Sequence, residues 1–350
     1  MTNFALLEKL GWQPFYQQQL SLDEWENAIP ARVVDQHKSI LAVTTETESL
    51  TINILPSMPN FVVGDWLLLN NENQFLRLLD RKTCFKRKAA GTQIKEQLIS
   101  ANIDTAFIVC SLNDDFNLNR LERYLSLVNE AEVEPIILLS KSDLVDDIET
   151  YTRQILGLDS HLIVAPVNCL DSASTEQLAP WLKPGSTIVV LGSSGVGKST
   201  LINTLLGESK QSTASIRQDD SKGRHTTTSR SLLPLQSGAL ILDTPGMREI
   251  QLTDCKEGIA ATFSDIEQLA NDCRYKDCQH QSEPGCAVNQ AVLNGKLEQR
   301  RLDNYLKLLK EDAINSASLA EKRAQDKALG KFYKRSLSES YKFKGRDSNN

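Results

Sequence analysis

The sequence predicts a multidomain α/β protein, and three observations support this fold class. Short apolar stretches separated by turn residues fill residues 31–82, a pattern typical of a small β-barrel. Farther along, the apolar run TIVVL leads into a glycine-rich segment and then into an amphipathic run, which is the strand–loop–helix order of an α/β domain. Finally, three cysteines and one histidine lie within the polar segment 273–286.

A chain of 350 residues with 40% hydrophobic residues is long enough for two or three domains, each with its own core. We expect an N-terminal extension and barrel at 1–98, the α/β domain at 99–250, and a helical domain with a basic tail at 251–350.

The predicted barrel strands are ARVVDQHKSILAV, LTINILP, VVGDWLLL and FLRLLDRK. They end in a basic segment in which Phe85 is surrounded by Arg81, Lys82, Lys86, Arg87 and Lys88. On a barrel of the oligonucleotide-binding type, this segment suits contact with an RNA backbone beside an aromatic ring. A solvated basic loop explains the same composition equally well.

The glycine-rich segment GSSGVGKST matches a phosphate-binding P-loop. Gly192 and Gly197 let backbone amides turn toward phosphates, Lys198 reaches the β/γ oxygens, and the Ser199 hydroxyl binds Mg²⁺. A chance match in a flexible loop is the alternative, but the preceding strand and following helix provide the context that the motif requires. The whole loop is predicted to bind nucleotide: Gly192, Ser193, Ser194, Gly195, Val196, Gly197, Lys198, Ser199 and Thr200.

A second apolar run, ALILDTPG, ends in an acidic residue about fifty positions after the P-loop. Asp243 is expected to hold Mg²⁺ through water, and the Gly246 amide to bond the γ-phosphate. A DxxG sequence alone is common in turns, whereas one that closes an apolar strand downstream of a P-loop favours the nucleotide role.

The intervening segment 208–230 is polar and lacks apolar periodicity, so we expect a mobile switch loop. Thr226, Thr227 or Thr228 would bind Mg²⁺ there, and Thr227 is included in the predicted nucleotide site; a solvated threonine-rich linker is the alternative.

Met247 follows DTPG, and methionine cannot orient an attacking water. Intrinsic hydrolysis is therefore expected to be slow, with His225 or a partner supplying the missing group. A solvated loop histidine remains the alternative for His225. The predicted catalytic residues are Lys198, Ser199, Asp243 and His225.

The nucleotide base that the protein prefers is predicted from the sequence SKSD at the end of the strand EPIILLS. This segment consists of Ser140, Lys141, Ser142 and Asp143. The Asp143 carboxylate can accept two protons from guanine, and adenine offers no such donor pair. Serine replaces the longer asparagine of the usual NKxD motif, so we expect weaker nucleotide affinity with unchanged base selectivity. After the next strand, Asn168 and Cys169 are expected near the guanine O6.

The cluster C-x4-C-x-H-x5-C supplies four soft ligands, Cys273, Cys278, His280 and Cys286. Three cysteines and a histidine complete a tetrahedral shell, which predicts one structural Zn²⁺ with no open catalytic position. The other cysteines, Cys84, Cys110, Cys169 and Cys255, are scattered and are interpreted as core or incidental thiols.

Charge is unevenly distributed along the chain. Residues 295–350 contain 14 Lys or Arg against 8 Asp or Glu, although the whole chain has a net charge of −6. Leu302, Tyr305, Leu306 and Leu309 form a helical stripe that we expect to pack on the Cys/His region. The final basic and aromatic residues favour an RNA partner, and a disordered solubilising tail is the alternative.

The chain has no apolar run near the roughly 18 residues of a membrane span and no signal-peptide pattern at Met1. We therefore expect a cytoplasmic protein without a membrane partner, in which the cysteines stay reduced. Nothing in the sequence demands self-association, so a monomer is expected.

The motifs stand in the order SKSD, GSSGVGKST, GRHTTT and DTPG, with the guanine motif before the P-loop rather than after it. Together with the Cys/His cluster, GDWLLL and FKRKAAG, this permuted order resembles the RsgA (YjeQ/YloQ) family of circularly permuted GTPases. The resemblance implies an N-terminal OB-fold β-barrel, a central circularly permuted P-loop GTPase domain and a C-terminal zinc-binding helical domain. It also implies GTP and GDP as ligands, with Mg²⁺, and the small ribosomal subunit and its rRNA as partners that stimulate hydrolysis.

Two other functions fit parts of the sequence. An RNA-binding placeholder would use nucleotide occupancy rather than turnover. A P-loop kinase or ATPase would require Asp143 to be unrelated to base recognition, and the SKSD segment argues against it.

Overall fold

The computed structural model describes residues 4–37, 39–88, 96–113, 115–207, 230–243, 252 and 254–316. The strands in these ranges are β1 Ile29–Gln36, β2 Ile40–Thr44, β3 Ser49–Asn53, β4 Trp66–Leu69, β5 Phe75–Leu78, β6 Cys84–Lys88, β7 Glu96–Ala101, β8 Thr105–Ser111, β9 Glu134–Ser140, β10 Ile163–Val167, β11 Thr187–Leu191, β12 Arg230–Pro234 and β13 Leu240–Asp243. The helices are α1 Phe4–Glu8, α2 Pro14–Gln17, α3 Leu22–Asn27, α4 Leu118–Glu130, α5 Ile148–Leu156, α6 Ser172–Thr175, α7 Lys198–Leu206, α8 Lys256–Thr262, α9 Ser264–Ala270, α10 Ala287–Leu293 and α11 Gln299–Ser316.

The N-terminal unit is an antiparallel sheet in the order β3-β2-β1-β4-β5. β1 bends because its first half pairs with β4, its second half pairs with β2, and the register shifts between Val33 and Asp35. All of β4 is buried, since Leu67 and Leu69 face one apolar core while Trp66 and Leu68 face the core formed with α1 and α2. The predicted β-rich unit is thus confirmed, and a hairpin of β6 and β7 follows it. The predicted domain boundary between residues 98 and 99 falls within β7.

The central unit is a parallel sheet in the order β10-β9-β8-β11-β13, with β12 antiparallel at its edge. Every residue of β11 is buried, as expected for a parallel strand with both faces covered. β12 also pairs with β1 through Asp35 opposite Ser231, so the N-terminal and central sheets are continuous.

The C-terminal unit consists of α8 to α11 and packs on α4 of the central unit. Gly258 of α8 lies so close to α4 that a Cβ there would be 2.1 Å from the Ser126 carbonyl oxygen. The predicted helical stripe is present in α11. Leu302 and Tyr305 are buried, and they share one apolar core with α4, α8, α9 and the Cys/His segment.

Phe85 cannot act as the exposed aromatic that the basic segment suggested. Its side chain is 2% exposed and belongs to the core beneath α4. Arg81 is paired with Asp65 at 2.6 Å, and the Lys82 ammonium donates to Gln13 at 2.8 Å. Much of this positive charge therefore serves intramolecular contacts.

None of the seven cysteines, all of which lie in the described ranges, forms a disulfide. Cys169 and Cys255 are buried, and Cys84 and Cys110 are half-buried, as expected of core or incidental thiols. Across the described ranges, no helix has both the length and the apolar character that crossing a membrane requires.

Candidate nucleotide site and Cys/His cluster

The P-loop leaves β11 at the carboxyl edge of the parallel sheet and ends where α7 begins at Lys198. Gly192 has a φ of 140°, and a Cβ there would lie 2.5 Å from the Val109 carbonyl oxygen of β8. Gly195 and Gly197 also have positive φ, a region that glycine enters without strain. Val196 is buried and anchors the loop in the core, while Ser194 and Gly195 are exposed. This loop can therefore present its backbone outward.

Lys198 folds back over the loop that precedes it. Its ammonium donates to the Gly192 carbonyl oxygen at 2.7 Å and to the Ser193 carbonyl oxygen. Ser199 and Thr200 follow in the first turn of α7, where unpaired helix amides favour anions. The Lys198 ammonium thus lies against the same loop whose last residues begin α7.

The segment SKSD begins at the end of β9, two strands away from the P-loop strand. Ser140 is buried, and its hydroxyl donates to the Val196 carbonyl oxygen at 2.6 Å. Lys141 takes a left-handed backbone with φ 59°, after which Ser142–Leu144 form a single 3₁₀ turn that carries the exposed Asp143. The shorter serine therefore still links this segment to the P-loop, and the expected weaker nucleotide affinity stays a prediction.

Cys169 follows β10 and closes the same side of the site. Burial raises the pKa of its thiol to about 11, and the nearby charges of Asp143 and Lys141 also act on it. The Thr204 hydroxyl of α7 donates to the Cys169 carbonyl oxygen at 2.6 Å, and a Cβ on Gly197 would lie 3.6 Å from the Cys169 sulfur. Three segments far apart in sequence thus meet, because the carboxyl ends of neighbouring parallel strands share one sheet edge.

The amide of Asn168 is already engaged, since it donates to the Ser174 hydroxyl at 2.8 Å. Its side-chain oxygen accepts from the Leu170 amide. Of the two amides predicted near a guanine O6, Asn168 is therefore the poorer candidate, and Cys169 is the better one.

Two side chains of α4 contact the P-loop and were missed by sequence reasoning. Arg120 Nη1 donates to the Ser193 hydroxyl at 2.7 Å and to Asp115 Oδ1 at 2.6 Å. Tyr124 interacts with the same hydroxyl, and burial raises the pKa of its phenol. No local motif marks these residues, because α4 and the P-loop are brought together only by the pairing of β8 with β11.

The structure describes only some of the remaining residues that were predicted to bind nucleotide or take part in catalysis. β13 pairs in parallel with β11, so the backbone of Asp243 ends a strand directly beside the P-loop strand. Gly246, Met247, His225, Thr226, Thr227 and Thr228 lie outside the described residues.

The four residues of the Cys/His cluster converge as predicted, with all donor atoms within 4.8 Å of one another. His280 Nδ1 lies 3.4 Å from the Cys286 sulfur and 3.7 Å from the Cys273 sulfur, and those two sulfurs are 3.9 Å apart. Tetrahedral zinc with Zn–S near 2.3 Å requires sulfur separations of about 3.8 Å. The donor set and its spacing therefore fit a four-coordinate metal ion.

The surroundings of the cluster favour a negative sulfur at Cys273, whereas burial and the neighbouring thiols raise the pKa of Cys278 to about 11. Burial raises the pKa of the Cys273 thiol, but hydrogen bonds from the Val288 and Ala287 amides outweigh it and hold that pKa below its usual value. Cys286 caps α10 and accepts from the Asn289 amide at 3.4 Å. Gly285, with φ 79°, makes the tight turn before it. The cluster can thus hold a metal ion through thiolate and imidazole donors.

Comparison with known proteins gives a consistent result. The family model "RsgA GTPase" matches residues 78–253. The chain is 56% identical to "Small ribosomal subunit biogenesis GTPase RsgA 2" of Vibrio parahaemolyticus, over 96% of this chain and 94% of that protein. It is 47% identical to "Small ribosomal subunit biogenesis GTPase RsgA" of Xylella fastidiosa, over 80% of this chain and 84% of that protein.

Solved structures with a similar fold include YjeQ from Thermotoga maritima, with a TM-score of 0.60 and 23% identity over 81% of this chain and 98% of that one. YloQ, described as a circularly permuted GTPase, has a TM-score of 0.59 and 23% identity over 85% of this chain and 99% of that one. These likenesses support the permuted α/β architecture.

Proposed function

This chain belongs to the RsgA family of circularly permuted GTPases, and from that premise we propose that it hydrolyses GTP during late maturation of the small ribosomal subunit. The observation that carries the proposal is the meeting of SKSD, Cys169 and the P-loop at one sheet edge. The Ser140–Val196 hydrogen bond joins the segment that reads the base to the loop that holds the phosphates.

Guanine selectivity is assigned to Asp143, whose exposed carboxylate accepts the two guanine donors, with the Lys141 stem over the ring. The Cys169 amide is assigned to the guanine O6. Because adenine carries a donor where guanine has O6, it would leave both groups poorly matched.

Phosphate binding is assigned to the amides of residues 192–200 and to the Lys198 ammonium. Lys198 starts from two carbonyl contacts within the loop and lies beside the expected β/γ-phosphate position. Ser199 and Asp243 would hold Mg²⁺, which offsets the charge of the β- and γ-phosphate oxygens. Thr227, Gly246 and His225 remain proposed contributors to γ-phosphate sensing and water activation.

The Cys/His cluster is assigned one structural zinc, held by Cys273, Cys278, His280 and Cys286.

We assign the N-terminal OB-type unit to residues 1–98, the GTPase domain to 99–250 and the zinc-binding domain to 251–350. The proposed partners are the small subunit and its rRNA. The proposed location is the cytoplasm, and the proposed state is a monomer.

The test is GTP and ATP hydrolysis by the purified protein, each with and without small ribosomal subunits. We expect slow turnover of GTP alone that rises sharply with subunits. Asp143→Asn should lose the preference for GTP over ATP while keeping its fold. Equal use of ATP by the native protein, or no response to subunits, would contradict the proposal.

A Lys198→Ala variant tests turnover against occupancy when its GTP affinity is measured beside its turnover, because Lys198 is also assigned to phosphate binding. If it binds small subunits with GTP and supports their maturation without hydrolysis, the protein is an RNA-binding placeholder whose nucleotide matters only by being bound. We expect instead that this variant fails to complete maturation.

A further inference from the structure

In the described part of the chain, side chains of β9 and α4 contact the P-loop at two different residues. The Ser140 hydroxyl donates to the Val196 carbonyl oxygen. Arg120 of α4 donates to the Ser193 hydroxyl, which Tyr124 also contacts. The first contact belongs to the guanine motif, whereas no known motif accounts for the second.

Ser193 is a junction within the loop. Its carbonyl oxygen accepts from the Lys198 ammonium, and its hydroxyl accepts from Arg120 Nη1 at 2.7 Å. The two contacts join the α4 guanidinium to the P-loop lysine through one residue. Between two glycines with positive φ, the backbone at Ser193 and Ser194 has little intrinsic stiffness, so an external contact fixes its position.

The fold aims Arg120 at this junction. The Asn117 side chain caps α4 by accepting from the Arg120 amide at 3.0 Å, which fixes Arg120 in the first helical turn. Long side chains in helices lean toward the N-terminus, here toward the carboxyl edge of the sheet. Asp115 accepts from the same Nη1 at 2.6 Å, so the guanidinium is held from both sides.

We propose that Arg120 is a positioning residue for GTP hydrolysis, which acts through Ser193 to fix the P-loop and the Lys198 ammonium in the geometry that stabilises the transferring phosphoryl group. This inference rests on the proposed GTPase function. It assigns Arg120 a role in turnover rather than in base choice, because Ser193 also contacts the Lys198 ammonium, whereas the guanine motif contacts the P-loop at Val196.

The test is a double-mutant cycle of Arg120→Gln and Ser193→Ala, assayed for kcat and KM with GTP. Each single variant is expected to lower kcat on the order of tenfold, because misplacing a catalytic group by a fraction of an ångström is costly. KM for GTP should change much less. The double variant should be no slower than Ser193→Ala alone, within about a factor of two, because Ser193→Ala already removes the hydroxyl that both Arg120 and Tyr124 contact.

Arg120→Lys should recover most of the lost rate, because one ammonium can still donate to Ser193. The matched control is Arg153→Gln on α5, an exposed arginine whose partner Glu149 is also on the surface. All variants are compared by thermal unfolding. A loss of kcat without a fall in Tm distinguishes positioning from a damaged helix.

The inference is overturned if Arg120→Gln behaves like Arg153→Gln, or if the effects of Arg120→Gln and Ser193→Ala simply multiply. A native protein that does not hydrolyse GTP would instead contradict the proposed function. The two failures are therefore distinguishable within one experiment.

Discussion

The GTPase core is joined to its neighbours by different contacts on its two sides. The N-terminal unit meets the amino ends of β8 and β11, where Asp104 accepts from Gln13 at 2.8 Å and from the Thr187 amide at 2.8 Å. The C-terminal unit instead meets α4, whose buried Glu122 accepts from Arg300, Arg301 and Asn304 of α11. Among the described residues, the C-terminal unit thus contacts α4, the helix whose Arg120 also contacts the P-loop.

The difference has a mechanical consequence. The amino ends of parallel strands lie opposite the edge that binds ligand, so the Gln13–Asp104 contact is remote from the nucleotide. The N-terminal unit reaches the ligand edge only by backbone pairing of β1 with β12 in the described residues, where Ser231 lies opposite both Asp35 and Asp243. α4 contacts Ser193 through Arg120, and in the same two turns it holds α11 through Glu122 and through the paired Arg123 and Glu311. We therefore expect the C-terminal side, rather than the N-terminal side, to respond to nucleotide.

The largest effect should come from removing the metal ion that we assign to the C-terminal unit. Cys278→Ser, or a strong chelator, should destabilise α8 to α11 by several kcal/mol, because metal binding to such sites is part of the folding free energy. Thermal unfolding with zinc analysis checks this, and Cys84→Ser is the thiol control. An unchanged Tm in metal-free protein would show that the cluster does not stabilise this unit.

Glu122→Ala should cost about 3–5 kcal/mol, since it leaves a buried arginine without one of its carboxylate partners. Arg301 is 4% exposed and keeps Asp265 at 2.7 Å, which limits the loss. Urea unfolding measures the effect, with Glu149→Ala as the control at an exposed ion pair. The variant should also bind GDP more weakly. Unchanged GDP affinity in a destabilised protein would break the link between α11 and the nucleotide site.

Gly258→Ala should destabilise the protein by about 1–3 kcal/mol, although alanine favours helices. A Cβ there would lie 2.1 Å from the Ser126 carbonyl oxygen and 2.7 Å from Glu130, which forces α8 away from α4. Ala261→Ser on the exposed face of α8 is the matched control and should stay within about 0.5 kcal/mol of the native protein. A stabilised Gly258→Ala protein would mean that the two helices do not pack this closely in solution.

The smallest effect is expected on the N-terminal side. Gln13→Ala removes the hydrogen bond to Asp104 and the one that Gln13 accepts from Lys82, which together should cost about 1–2 kcal/mol in urea unfolding. GDP affinity should be unchanged, because Asp104 keeps the Thr187 amide and lies at the far edge of the sheet. A fall in GDP affinity equal to that of Glu122→Ala would remove the asymmetry between the two sides.

The sequence could locate those parts of the candidate site whose residues are close together in the chain. The P-loop, SKSD and the Cys/His cluster each lie within about fourteen positions, so the spacing of their residues was enough to locate them. Spacing does not predict contacts between distant segments. The Val196 carbonyl oxygen accepts from Ser140 because β9 and β11 belong to one sheet, which the local sequence does not reveal. The weaker nucleotide affinity expected from Ser140 stays a prediction, although its hydroxyl reaches the P-loop.

The missed features depend on tertiary packing. Phe85 stands among basic residues in sequence but is buried beneath α4, since a strand alternates its faces whatever the neighbouring charges. Arg120, Glu122 and Gly258 belong to helices whose partners are far away in sequence, and no local pattern names those partners. Local motifs therefore located the candidate site segments, whereas their connection to the C-terminal unit through α4 can be read only from the fold.

The most direct test of this asymmetry is hydrogen exchange of the full-length protein, compared between its GDP-bound form and its form bound to a non-hydrolysable GTP analogue. We predict that exchange changes in α4 and α11 and stays the same in α2, which follows the Gln13 that contacts Asp104 at the far edge of the sheet. A change confined to the N-terminal unit, or equal changes on both sides, would contradict the account.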